Sequence, residues 1–312
     1  MAARGVKNLL DAAIGASAAG VLQAFKLVDR RRAADFAGAA LRRLGPLLKE
    51  HAIGRDNLRA AFPEKSAAEI EAILAGVWDN LGRIAVEFAH LSEFQLAGDG
   101  PPSRDDIIFS PQTKERAERI IGGGKPIIAF AAHLANWELP AVGSKLAGPR
   151  TAVLYRRPNV RSIGDLIVKL RTPLMGELVP TGLDAPVRLA RLLQSGTHVG
   201  LLVDQFFFKG VEVTFFGRTS RANPLAALLA RQTEAALHGF RVVRLPDKNS
   251  FSIEVTEAVE PARDADGRID VQGTTQRIND VIEDWICEYP EQWLWLHRRW
   301  RRADGRGFEV ED

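Results

Sequence analysis

The 312-residue chain has one cysteine, Cys287. It can form no internal disulfide, and nothing points to an oxidising compartment. Cys287 shares an apolar helical stripe with Ile278, Val281, Ile282, Trp285 and Ile286, so a core role is expected for it. No Gly-x-Ser-x-Gly elbow occurs, so a covalent serine mechanism lacks its nucleophile. His51, His90, His198 and His238 stand at no ligand spacing from cysteine or carboxylate, and no metal or other cofactor is expected. Gly122-Gly123-Gly124-Lys125 is no phosphate loop, because it precedes a strand pattern and lacks Ser or Thr after the lysine. Repeats and low-complexity tracts are absent, and no cleavable leader is expected. A long, strongly apolar run is missing too. Leu9–Val28 comes nearest, since about 20 residues at roughly 1.5 Å each would cross a hydrocarbon core. It carries Asp11, glycines and many alanines, and the basic flank Arg30–Arg32 follows. An amphipathic helix lying on a membrane, its basic flank on the cytoplasmic side, is favoured over a span.

What remains is ample for a folded core: 46% of the residues are hydrophobic and 26% charged. The length allows one large domain or two small ones. Net charge is only +3, yet arginines cluster at Arg30–Arg32, Arg42-Arg43, Arg156-Arg157 and Arg298–Arg302. No nucleic-acid motif accompanies them. Anionic phospholipid, a phosphorylated glycolipid or an acidic carrier protein are the partners that such clusters fit.

Periodicity divides the chain into three regions. Residues 1 to about 110 read as helices over Leu9–Val28, Ala33–Leu48 and Ala67–Leu91, the last with a Ser66/Glu69 capping box. The Pro101-Pro102 loop follows. From Asp106 to about Thr256 short apolar runs alternate with helical stretches, which predicts an α/β layer fold around a mixed, largely parallel sheet. Thr275–Arg302 reads as two helices broken at Pro290. The expected organisation is a membrane-associating helix over residues 1–30 and one domain over 31–312. Within that domain, residues 31–105 would be helical and 106–302 would be α/β.

The stretch richest in chemistry is His133-Leu134-Ala135-Asn136-Trp137-Glu138, directly after the buried strand pattern Pro126–Ala132. On one ideal helix, residues five apart point about 140° away from each other. His133 and Glu138 can therefore meet only if His133 stays on the strand-end loop while Glu138 begins the helix. Asn136 is the expected N-cap. An imidazole oriented by a carboxylate beside a helix start offers a base and a place for an oxyanion. The plain alternative is a histidine that caps a strand. Arg156-Arg157 and Asp204-Gln205 also follow predicted strands, and ligand sites gather at such strand ends. Arg157 is the expected partner of Asp204, with a purely structural ion pair as the other reading. Phe206–Phe208 and Phe215-Phe216-Gly217 are expected to flank a hairpin around Lys209-Gly210, lining a hydrocarbon channel, dipping into lipid or simply packing in the core.

The His-x-x-x-x-Glu spacing resembles that of the late acyltransferases of lipid A biosynthesis, the lauroyl and myristoyl transferases of the wider lysophospholipid and glycerol-phosphate acyltransferase superfamily. Further blocks agree in order: Asn57–Pro63, Tyr155–Pro158, Val203–Gln205, Phe215–Gly217 and Pro290–Trp300. The resemblance spans about residues 50 to 302. It departs at Arg221–Pro224 and Gln232–Ala235, positions that can shape the acceptor site. The resemblance implies transfer of a fatty acyl group from acyl carrier protein to a hydroxyl of a lipid A precursor at the cytoplasmic face of the inner membrane, with no acyl-enzyme. His133 would be the general base and Glu138 its orienter. Backbone N–H groups near Leu134–Asn136, helped by Arg157, would receive the oxyanion. Asn136, Arg156, Arg157, Asp204, Gln205, Phe215, Phe216 and Gly217 are the implied substrate contacts. The alternatives are acylation of another membrane lipid from acyl-CoA, or a non-catalytic lipid-binding protein on the same fold.

Overall fold

The computed structural model describes residues 2–97, 106–158 and 160–300, with the backbone alone for 2–10, 12–14 and 106. The Pro101-Pro102 loop and Arg301-Arg302 lie outside the described residues. Four helices lead: α1 (Ala2–Lys26), α2 (Arg30–Leu44), α3 (Lys49–Ala61) and α4 (Ala67–Glu87). The expected capping box opens α4, where the Ser66 and Glu69 side chains each bond the other's backbone N–H. No described helix is long and apolar enough to cross a membrane.

The chain then builds β1 (Gln95–Leu96), β2 (Asp106–Phe109), α5 (Pro111–Gly122), β3 (Ile127–Ala131), α6 (Leu139–Leu146), β4 (Thr151–Tyr155), α7 (Arg161–Met175), β5 (Glu177–Pro180), α8 (Ala185–Gln194) and β6 (His198–Leu202). The hairpin strands β7 (Phe206–Phe215) and β8 (Arg218–Ala222) follow. After them come α9 (Leu225–Thr233), β9 (Ala236–Arg244), β10 (Phe251–Val259) and α10 (Val271–Glu288). Eight strands form one sheet in the order β1-β2-β10-β9-β3-β6-β4-β5. Every neighbouring pair is parallel except β9 with β10, so the α/β class and the largely parallel mixed sheet are as expected.

Strand alternation sends side chains to opposite faces. Ala152 and Val179 join one core cluster with residues of α3, α4, α8, α9 and α10, while their neighbours Val153 and Leu178 pack against a second cluster that holds Leu139, Val142 and Met175. Helices on both faces are what a parallel sheet needs to bury its two sides. The β7–β8 hairpin pairs apart from this sheet.

Three expectations change. Beyond Pro290, among the described residues, only a short 3-10 turn, Pro290–Gln292, forms, and the second helix of the expected C-terminal pair does not. Its segment is stitched to the molecule instead: Asn57 Nδ2 donates to the Trp295 and His297 carbonyls at 2.7 and 2.6 Å. The hairpin turns at Phe216-Gly217, not at Lys209-Gly210. Both turn residues have positive φ, +50° and +66°, the backbone of a type I′ turn. Cys287 is exposed, because the buried stripe of α10 runs through Ile278, Ile282, Trp285 and Ile286 and leaves position 287 one step around the helix.

Candidate active site

Strands β3 and β6 are parallel neighbours in the register Ala131↔Leu202, and the ladder continues with Val203 N–H donating to the Ala131 carbonyl at 3.1 Å. Two residues beyond each strand end stand His133 and Asp204. The register therefore sets them side by side: His133 Nδ1 lies 2.8 Å from Asp204 Oδ1, and the His133 backbone N–H donates to Asp204 Oδ2 at 2.8 Å. Trp293 Nε1–H donates to the same Oδ2 at 2.7 Å. The Asp204 carboxylate is 1% exposed. Burial pushes its pKa up, but the charge of His133, the bonds from His133 and the Trp293 N–H outweigh it and bring it to about 2. For His133 burial opposes protonation, yet Asp204's charge and hydrogen bond prevail. Glu138 adds to them and Arg171 subtracts, and the imidazole sits above its ordinary pKa.

The expected His133–Glu138 bond is not the one made. Both Glu138 oxygens are taken by Arg171 of α7, Nε at 2.8 Å and Nη2 at 2.5 Å. The loop explains why. Ala135 adopts φ +42°, its N–H donates to the Gln292 carbonyl at 2.9 Å, and Leu134 bridges Trp293. Asn136 is fully buried; its Oδ1 accepts the Glu138 N–H at 3.2 Å and its Nδ2 donates to Glu87 Oε2 at 2.9 Å. The helix consequently begins at Leu139 with Glu138 as its N-cap residue, not at Asn136. Glu87 is in turn gripped by Arg244, which also holds Asn80 Oδ1 at 2.9 Å. Asn136 is thus a buried strut beneath the motif.

The other expected residues divide. Gln205 does join the site, exposed, with Nε2 3.4 Å from His133 Nε2. Arg157 does not reach Asp204: it is exposed and bonds Asp165 at 3.0 Å, and Arg156 is exposed beside it. The amides of Leu134 and Ala135 are already spent on the Ala132 and Gln292 carbonyls, so they offer no oxyanion donor. Phe215 is fully buried, and Phe216 packs edge-on to Phe62 at 5.2 Å; both rings are core, with Gly217 in the turn behind them. Phe206 does face a small cleft that His133, Asp204, Gln205, Trp293, Leu294, His297 and Arg299 also line. Sequence reading missed Arg171 and Arg299. Trp293 enters only within the Pro290–Trp300 block of the resemblance, which was the signal for it.

An imidazole at one strand end of a parallel sheet, with a buried carboxylate on its Nδ1 and its Nε2 toward a cleft, is chemically able to take a proton from a hydroxyl, as transferases and hydrolases require. The chain belongs to the bacterial lipid A biosynthesis acyltransferase family, whose model matches residues 13–302. It is an O-acyltransferase, which uses an acyl donor and a lipid acceptor. It is 26% identical over 260 residues to a lipid A biosynthesis palmitoleoyltransferase of Escherichia coli (strain K12), covering 82% of this chain and 80% of that one. A lipid A biosynthesis acyltransferase of Shigella flexneri matches equally. A phosphatidylinositol mannoside acyltransferase of Mycolicibacterium smegmatis is 28% identical over 186 residues, 58% of either chain.

Proposed function

We propose that this chain moves a fatty acyl group from the thioester of acyl carrier protein to a hydroxyl of a lipid A precursor, with His133 as general base. The observation that carries this reading is the 2.8 Å contact between His133 Nδ1 and Asp204 Oδ1. It fixes the tautomer: Nδ1–H donates to the carboxylate, and the lone pair of Nε2 points to the cleft. Nε2 takes the acceptor hydroxyl's proton as its oxygen attacks the thioester carbonyl. The tetrahedral intermediate collapses with loss of the thiolate, which recovers the proton from the imidazolium. Asp204 stabilises that imidazolium, and Glu138, held by Arg171, adds its charge from further off. Gln205 Nε2 is the side-chain donor next to the reacting nitrogen, placed to hold the acceptor oxygen or the oxyanion. Arg156 and Arg157, exposed after β4, suit the anionic groups of donor or acceptor.

The site is proposed to work at a bilayer surface on the cytoplasmic face of the inner membrane. Along α2 and the turn after it, Arg32, Phe36, Arg43 and Leu47 are exposed, Phe36 by 78% and Leu47 by 80%. Residues at i, i+4 and i+11 share one helix face, and basic and apolar groups together suit an anionic interface. Residues 1–30 would lie against the same surface, with 31–312 as one catalytic domain.

The test is His133→Ala in purified protein with acyl carrier thioester and lipid A precursor. Turnover should fall by roughly 10²–10⁴-fold, the usual contribution of a general base; near-native turnover would overturn the assignment. A second reading, acylation of a glycosylated phospholipid from acyl-CoA, is supported by the similarity to the mannoside acyltransferase. Mass spectrometry of lipids from a deletion strain separates the two: an unchanged lipid A acyl count favours the second.

A further inference from the structure

In the wall of the cleft that His133 and Asp204 line stands a buried guanidinium with no carboxylate partner among the described residues. Arg299 is 1% exposed and lines the same cleft. Its Nη1 donates to Ser220 Oγ and, at 3.3 Å, to the Arg221 carbonyl. Its Nη2 donates to Asn279 Oδ1 at 2.8 Å, and its plane lies 4.3 Å over the Phe215 ring. Nε is buried and meets no acceptor. Every one of these partners is neutral. Burial accordingly pushes the group's pKa down to about 10, against the pull of Asp204 and then Glu283. A buried cation held only by neutral acceptors costs stability, and a well-packed apolar side chain in that room would cost less.

What Arg299 supplies, and methionine in its place would not, is charge beside Asp204. With His133 neutral, the buried trio sums to zero: one carboxylate, one guanidinium. When His133 takes a proton, two cations share one anion. Without the guanidinium, Asp204 would hold the imidazolium still more firmly, and a base that already carries its proton accepts none. We propose that Arg299 is a positioning residue for the reaction, a fixed counter-charge to Asp204 that limits how far the carboxylate raises the proton affinity of His133. The proposal rests on the reading of His133 as base. The other charges facing the trio are Glu138 with Arg171, from the start of α6 and from α7, and Glu283 from α10; His297 shares the cleft wall.

The measurement is the titration midpoint of His133 in the full chain, from its imidazole carbon-proton NMR signal, identified by its loss in His133→Ala. Arg299→Gln should raise that midpoint by about one pH unit, a tenfold gain in proton affinity. Arg299→Lys, which restores the charge, should return it towards the native value. Ser220→Asp sets a carboxylate against the guanidinium and neutralises it in place, so it should raise the midpoint as well; it carries the test if Arg299→Gln does not fold. Ser220→Ala removes two hydrogen bonds, the one accepted from Arg299 Nη1 and the one donated to the Arg299 carbonyl at 2.9 Å, but no charge, and should lower the melting temperature while leaving the midpoint where it was. An unmoved midpoint in a folded Arg299→Gln or Ser220→Asp protein overturns the proposal, as does a midpoint that moves in Ser220→Ala. The midpoint is read without any acyl transfer, so its outcome is separate from that of the turnover test on His133.

Discussion

At the scale of the residue, Asp204 has a stronger claim on the imidazole than Glu138, because it owns the direct contact with Nδ1 while Glu138 is committed to Arg171. The pH dependence follows from the two shifts. His133 is raised above its ordinary value of 6.5, so the active, unprotonated base is lost as pH falls through a midpoint above 6.5. Removing Asp204's charge should move that acid limb to lower pH. Asp204→Asn should also reduce turnover by roughly 10²–10⁴-fold, because an amide cannot stabilise the imidazolium. Glu138→Gln, which leaves the Nδ1 contact in place, should cost less and move the limb less. Pairs of pH–rate profiles for these variants check both statements. Stability runs the same way for the carboxylate: folded at about 2 against 3.8 unperturbed, Asp204 contributes stability above its unfolded value that is lost as pH falls towards 2. His133 contributes fully below 6.5 and loses that contribution as pH rises through its folded midpoint.

Among the elements, the motif loop is held from beneath by parts far apart in the chain. Arg244 closes β9, Glu87 closes α4, and between them they fix Asn136. Gln292 completes the floor: its carbonyl accepts the Ala135 N–H, and its side chain pairs with the Arg244 backbone at 2.8 and 3.1 Å. Arg244→Met leaves Glu87 as a buried, unmatched anion, and breaking such a pair costs about 3–5 kcal/mol. The denaturant midpoint of the variant should fall accordingly. Asn136 illustrates why its role was illegible locally. An asparagine before a helix reads as a cap, and its side chain does take an N–H two residues on. Its amide nitrogen, however, goes to Glu87, 49 positions away, and no local pattern encodes that partner.

For the whole molecule, the exposed face of α2 and the turn that follows it bears on where the enzyme works. Phe36→Ser combined with Leu47→Ser should weaken co-sedimentation with vesicles of anionic phospholipid and leave thermal stability nearly unchanged, since both side chains are exposed. Binding should also weaken at high salt, as arginines beside an anionic surface require. Equal sedimentation of variant and native chain would remove this face from the membrane contact.

The amino-acid order by itself determined the layer architecture, because buried parallel strands and amphipathic helices write their periods of 2 and 3.6 directly into apolar spacing. It also placed His133, Asp204 and Gln205 after strands, since each follows a short apolar run that reads as a buried strand. Which acid meets the imidazole was decided by tertiary structure. Glu138 is nearer in sequence, but β3 and β6 become neighbours only when the sheet assembles, and their register brings together side chains 71 positions apart. The same holds for Arg299, whose charge matters only once the C-terminal segment folds back beneath the sheet's rim. Distance along the chain fixes which backbone each residue adopts; distance through the folded interior, where charges are weakly screened, fixes what each ionisable group does.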